Sequence, residues 1–174
     1  VNLTRHDGRI KDKSDLGRLD SPDYALGFKM HPAFILDAQQ LTPLGFSDIK
    51  LWHRPSDMAD RHVRKYHRYP IADKESYKWI EVAQRSKEVL KDARTVTVIQ
   101  DREADIYEVF DEVPDEKTHL IVRSSFDRKT MENISLSEVL ANQPCMGYHS
   151  ISLQTDVRKK RVKGIVGLEV RYCR

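Results

Sequence analysis

Cysteine is almost absent, Cys145 and Cys173 being the only two in 174 residues. Two thiols cannot build a disulfide scaffold, and they fit a reducing compartment such as the cytoplasm. No Cys/His spacing typical of a zinc site occurs either. Long apolar runs are missing: nothing approaches the ~18 residues of a membrane-spanning helix, and no apolar segment follows a basic start as in a secretory leader. Glycine and proline number 7 each, which excludes collagen-like and low-complexity chains. An excess of one charge is also lacking. Lys and Arg total 30 against 27 Asp and Glu, a net +3, which permits an anionic partner without demanding one. What is present is 39% hydrophobic and 33% charged residues. That is enough to bury a core beneath a heavily solvated surface, at the length of one ordinary domain.

The chain opens on Val1 and stops inside a strand-like run, so it is expected to be a piece of a longer protein. Residues 1–24 are polar, charge-balanced and punctuated by Gly8 and Gly17, which predicts a long turn or loop. Residues 27–38 are apolar enough for a strand, with Pro32 pointing to an edge or a bulge. A second extended run covers Leu44–Trp52, and a charged, histidine-rich loop follows over 54–73. Asp73 is the predicted N-cap of the strongest helix, with Trp79, Val82, Ala83, Val89 and Leu90 on its apolar face and Lys78, Glu81, Arg85, Glu88 and Lys91 outside.

The β-branched run Thr95–Gln100 predicts a strand covered on both faces. It stops at Asp101, where a second amphipathic helix is expected at once, burying Ile106, Val109, Phe110 and Val113 and closed by Pro114. His119–Arg123 is another short strand, and Ser135 to Glu138 carries a capping-box pattern for a short helix ending before Pro144. Alternation then takes over, with Tyr148, Ser150 and Ser152 opposite Ile151 and Leu153, and again over 165–172. Helix and strand alternate through residues 1–144, an α/β pattern with a mixed sheet, and 145–174 begins a β-rich subdomain.

Chemistry concentrates at Asp101-Arg102-Glu103-Ala104-Asp105. A carboxylate at the carboxyl end of a central strand stands where open α/β sheets place ligands, and it can hold Mg²⁺ or Mn²⁺, which take oxygen donors. Asp105 lies one helical turn further, on the side that Asp101 would share. Asp is equally a favoured helix N-cap, so spacing alone leaves both readings open. The histidines, among them His53, His62 and His67, match no zinc pattern and read as loop or core residues, as does His31. Trp52, Trp79 and Tyr77 read as core. Cys145 and Cys173 have no acid–base partner nearby in sequence.

The segment from Val98 through Asp101, Arg102, Glu103, Ala104 and Asp105 to Glu108 resembles the D-R-E-A-D motif of bacterial DDE transposases of the insertion-sequence-four type. Four further matches keep the family order. Trp52-His53-Arg54-Pro55 resembles its W-x-R-P, and Lys74-Glu75-Ser76-Tyr77-Lys78-Trp79 its K-E-S-x-K-W. Leu120–Ser124 with Arg128-Lys129 resembles its V-V-R-S…R-K strand and turn, and Asn142-Gln143-Pro144 with Gly147-Tyr148 the start of its inserted β region. The match runs from about Gly27 to Tyr148.

The resemblance implies an RNase H-like core, a mixed sheet flanked by helices, interrupted by a β-rich insertion. It also implies three catalytic carboxylates holding two Mg²⁺ or Mn²⁺ ions for DNA strand cleavage and strand transfer. Asp101 matches the second. The first belongs to a D-T-T context expected just upstream of Val1, and the third to a Tyr-x2-Arg-x3-Glu-x6-Lys signature whose spacing is not found in this chain. Asp37, which also ends an apolar strand, is a rival for the first. Arg102, Arg123, Arg128 and Lys129 are the implied DNA contacts, with Glu103 and Asp105 supporting Asp101; Arg158–Lys163 is a further basic run that reads equally as a solvated turn. The implied protein is a homodimer on paired DNA ends in a bacterial cytoplasm, without membrane attachment. Another RNase H-like nuclease, or a noncatalytic DNA-binding or inhibitory remnant of a decayed element, would share part of this pattern.

Overall fold

The computed structural model describes residues 2–6, 16–18, 25–54, 68–156 and 162–172. Contacts divide the chain into two compact units, Val1–Ser124 and Ser125–Arg174. The second unit therefore includes the short helix that sequence patterning grouped with the first part.

In the first unit, the strands β1 (Asn2–His6), β2 (Gly17–Arg18), β3 (Ala25–Leu36) and β4 (Pro43–Trp52) form an antiparallel sheet on β3. The predicted 27–38 and 44–52 strands are thus present. Residues 1–24, expected to be loop, contain β1 and β2 instead. A polar sequence does not prevent pairing, because ladder bonds come from backbone groups and β3 offers both edges. β1 runs from Asn2 opposite Lys29 to His6 opposite Ala25, and Gly17 lies opposite Gly27. A Cβ at Gly17 would collide with the Arg54 carbonyl, so only glycine allows the chain this close. Pro32 sits beyond the reach of β1, opposite Ile49 of β4, just before a register irregularity at Ala33/Phe34. A residue lacking an N–H is tolerated there because β3 has one neighbour at that level among the described residues.

Helix α1 (Lys78–Val89) starts later than Asp73 predicts, after two 3₁₀ turns at Ile71–Asp73 and Glu75–Tyr77. Asp73 makes no N-cap. Ile80, Val82, Ala83 and Ser86 of α1 are buried, whereas Val89, expected inside, is 60% exposed. The buried stripe is rotated from the expected one because α1 touches two sheets: β3 and β4 on one flank, and β5 (Val96–Gln100) on the other. Toward β4, the Ser86 hydroxyl meets the Ser47 hydroxyl at 2.8 Å and donates to the Val82 carbonyl at 2.7 Å. Lys50 pairs with Glu81, and Arg85 with Glu81 and Asp48.

β5 pairs in parallel with β6 (Thr118–Val122), from Val96 opposite Thr118 to Gln100 opposite Val122. Parallel neighbours need a crossover, here a 3₁₀ turn at Arg102–Ala104 followed by α2 (Tyr107–Glu112). The helix predicted to begin directly after Asp101 is therefore replaced by this turn, and α2 is only six residues long. Ile80 and Ala83 of α1 meet Val109 and Val113 in the core, with Val98, Leu120 and Val122 against them. β5 is covered on one face only among the described residues, since Ile99 is 73% exposed. The two-sided burial expected from its β-branched run is not present. Asp115 staples the turn before β6. It accepts the Lys117 and Thr118 N–H groups at 2.9 and 2.8 Å and pairs with Lys87 at 2.9 Å, and these contacts hold its carboxyl well below the usual range.

The second unit joins α3 (Leu136–Ala141) to the antiparallel hairpin β7 (Gly147–Leu153) and β8 (Gly164–Val170). Ser135 caps α3 through the Glu138 N–H at 3.3 Å, as its sequence pattern predicts. Arg171 donates to the Ala141 carbonyl at 2.9 Å, tying the end of the hairpin to that of α3. Residues 158–161 of the basic run lie outside the described residues. No helix among the described residues is long and apolar enough to cross a membrane.

The α1–α2 contact is the testable part of this core. Ile80→Ala removes a side chain that is 1% exposed and is expected to cost ~2–5 kcal/mol, read as a lowered urea midpoint at unchanged slope. A loss below about 1 kcal/mol would show that this core does not govern the unit's stability.

Candidate functional site

Asp101 stands one residue past the carboxyl end of β5, with extended backbone (φ −83°, ψ −175°). Its Oδ1 accepts the Glu103 N–H at 2.8 Å, capping the short 3₁₀ turn. The capping reading of Asp101 therefore holds, and it engages one oxygen only. The residue is exposed, and Oδ2 has no protein partner among the described residues. Asp105 is different: it is 2% exposed, turned inward where the chain leaves the turn. The two carboxylates do not share the side that helical spacing predicts, because no α-helical turn separates them.

Arg102 and Arg123 are both exposed. The Arg123 N–H donates to the Gln100 carbonyl at 3.3 Å, which fixes Arg123 beside the end of β5. Arg128 and Lys129 belong to the second unit. There Arg128 lies 6.0 Å from the Phe126 ring centroid, and Lys129 forms a bridge with Ser135. Asp37, the rival carboxylate, accepts the Gln39 and Gln40 N–H groups at 3.0 and 2.7 Å, which makes it a turn-former in the β3–β4 connection. His53 is exposed, while His62 and His67 lie outside the described residues. Exposed Cys145 gives its thiol hydrogen to the Gly147 carbonyl at 3.0 Å, and Cys173 lies outside the described residues.

Segments far apart in sequence meet beside Asp101. Lys78, the first residue of α1, places Nζ 3.1 Å from Glu103 Oε2 and 5.5 Å from the ring centroids of both Trp52 and Trp79. Arg54 grips Glu75 with two guanidinium nitrogens, Nη2 at 2.6 Å, and Lys29 approaches the same carboxylate at 3.5 Å. Burial works to raise the Glu75 carboxyl, but these cations outweigh it and hold it below the usual range. His31 packs edge-on against Trp79, centroids 4.3 Å apart. The Gln100 amide donates to the Trp79 carbonyl at 3.0 Å. The indole N–H groups of Trp52 and Trp79 and the Gln100 Oε1 are buried without hydrogen-bond partners among the described residues. Lys78 was read from sequence as an outward residue and the tryptophans as plain core. The lysine's position directly before Trp79, within the stretch resembling K-E-S-x-K-W, signalled otherwise.

A hard divalent cation takes six or more oxygen ligands, some of them water. Asp101 offers the right donor chemistry, but Glu103 is engaged by Lys78. Among the described residues, no group of three or more His, Cys, Asp or Glu side chains is placed to hold a metal ion. Asp101 could contribute one ligand, and the described residues do not complete a metal centre around it.

Burial first, and the nearby Lys78 charge second, lower the His31 pKa to about 4, against smaller opposite effects from Glu103 and Asp101. The folded state then binds fewer protons than the unfolded chain between about pH 6.5 and 4. This contribution to stability is complete above about pH 6.5 and lost as pH falls through about 4. NMR titration is expected to place the His31 midpoint near 4, and His31→Phe to flatten the acid limb of the stability profile. A midpoint at or above 6.5 would contradict this placement of the ring. A search of protein-family models finds no match to the chain.

Proposed function

We propose that this chain is part of the catalytic core of a DDE-type DNA transposase, RNase H-like in fold, in which Asp101 is one of three metal-binding carboxylates. The reading rests on one observation above all: an exposed Asp at the carboxyl end of a parallel strand, with one oxygen in a turn cap and the other open to solvent. Three of the five family-like motifs supply the groups around it. Trp52 and Arg54, then Glu75, Lys78 and Trp79, then Asp101 and Glu103 form a single cluster linked by ion pairs and ring contacts.

In this reading the substrate is a DNA phosphodiester, and the partners are transposon ends and target DNA, with the full-length protein acting as a homodimer. Mg²⁺ or Mn²⁺, bound between Asp101 and two carboxylates from elsewhere in the protein, would supply an activated attacking oxygen and stabilise the leaving one in an in-line displacement. The chain's own work is placement. The Glu103 N–H fixes the rotamer of Asp101, and the rigid β5–β6 pair sets where its open oxygen points. Exposed Arg102, next in sequence to Asp101, and Arg123, held beside the end of β5, are cations able to neutralise backbone phosphates; Arg128 and Lys129 are phosphate contacts of the second unit taken by itself.

The chain by itself is expected to bind Mg²⁺ or Mn²⁺ weakly and to leave supercoiled plasmid intact, since one carboxylate does not assemble a two-metal site. In a protein extended at both ends to include the other two, Asp101→Asn is expected to reduce metal-dependent nicking by ~10³-fold or more, as loss of several kcal/mol of charge stabilisation requires. Equal nicking with and without the substitution would remove Asp101 from the site. DNA binding without nicking in any extended form would point to the noncatalytic remnant instead.

A further inference from the structure

Among the largely enclosed cations of this cluster, Lys78 has the least balanced surroundings. Its side chain is only 14% exposed, with the ammonium held beside the rings of Trp52 and Trp79. Its one anionic partner among the described residues, Glu103, is 64% exposed. Removing an ammonium from water is expensive, whereas an ion pair to a solvated carboxylate contributes little. The indole faces recover part of the loss. The other cations nearby are better matched: Arg54 and Lys29 share Glu75, and Lys50 has Glu81. His31 remains uncharged at neutral pH, so it does not compete for an incoming anion.

Position ties this cation to Asp101. Glu103, which holds Lys78, is the residue whose N–H caps Asp101 Oδ1. Lys78 also lines an open cavity of about 210 Å³ with Trp52, Lys74, Glu75 and Tyr77, a lining to which Glu103 does not belong.

We propose that Lys78 is a DNA-phosphate contact of this site, parked on Glu103 in the free protein and transferred to the backbone phosphate next to the one at Asp101 when DNA binds. Glu103 then acts as a placeholder that keeps the ammonium on the tryptophan rings until a stronger anion arrives. This rests on the DNA-binding reading above, and it adds a cation that the family-like motifs did not mark as a DNA contact.

The test is the salt dependence of duplex binding by the purified chain, using a fluorescein-labelled duplex from low to physiological salt. Lys78→Met is expected to weaken binding and to make the plot of log affinity against log salt shallower by about one unit, the loss of one phosphate contact. Lys78→Arg is expected to retain the slope, and Glu103→Gln, which frees the ammonium, to tighten binding. A lysine that merely props up the tryptophans would leave the slope unchanged, and Glu103→Gln would not tighten binding. If Lys78→Met does not fold by circular dichroism, Glu103→Gln and Lys78→Arg decide the matter. An unchanged slope with normal wild-type binding overturns this proposal alone. Absence of any duplex binding by the wild-type chain overturns it together with the DNA-binding reading.

Discussion

The first unit depends on α1 satisfying two sheets at once. Its Ile80 and Ala83 belong to the core over β5 and β6, while Ser86, Glu81 and Arg85 meet β4. The two flanks use different physics. One is apolar, where each fully buried aliphatic side chain contributes roughly 1.5–3 kcal/mol. The other is polar and half-buried, and contributes geometry more than energy, because its charges lose hydration as they pair. The antiparallel sheet and the parallel pair share no ladder among the described residues, so their relative placement comes through this helix.

The same constraint explains why the ionic cluster forms where it does. The amino-terminal end of α1 lies where the carboxyl ends of β4 and β5 arrive together, bringing Trp52, Lys78 and Asp101 to one end of the unit. Glu75, in the 3₁₀ turn before α1, closes the cluster by taking both Arg54 and Lys29. A helix starting at Asp73 would turn Glu75 and Lys78 to other directions. The late start of α1 is therefore part of the site.

Sequence patterning located β3, β4, β5, β6, the α3 cap and the terminal hairpin, because each rests on local chemistry: β-branched runs, alternation, or a serine three residues before a glutamate. It missed β1 and β2, which carry neither an apolar nor a β-branched run and show themselves through their register with β3. It also misplaced the buried stripe of α1, since a helix facing two sheets has no single apolar face for a period to reveal. At the site, the capping role of Asp101 was legible from one strand–Asp–helix junction, although what it caps is a 3₁₀ turn rather than a helix. The inward turn of Asp105 was not, because a 3₁₀ turn in place of an α-helical one changes which side a residue four positions later occupies. Lys78 was hidden for a related reason: a lysine at a helix start usually reads as solvated, and only the arrival of Trp52 from another strand encloses it.

The chain contains just two tryptophans, Trp52 and Trp79, and both have ring centroids 5.5 Å from the Lys78 ammonium, with His31 edge-on against Trp79. In the folded protein their ultraviolet emission therefore reports on the surroundings of Lys78. The protein thus holds a native optical gauge of the Lys78–Glu103 ion pair, with no label to attach.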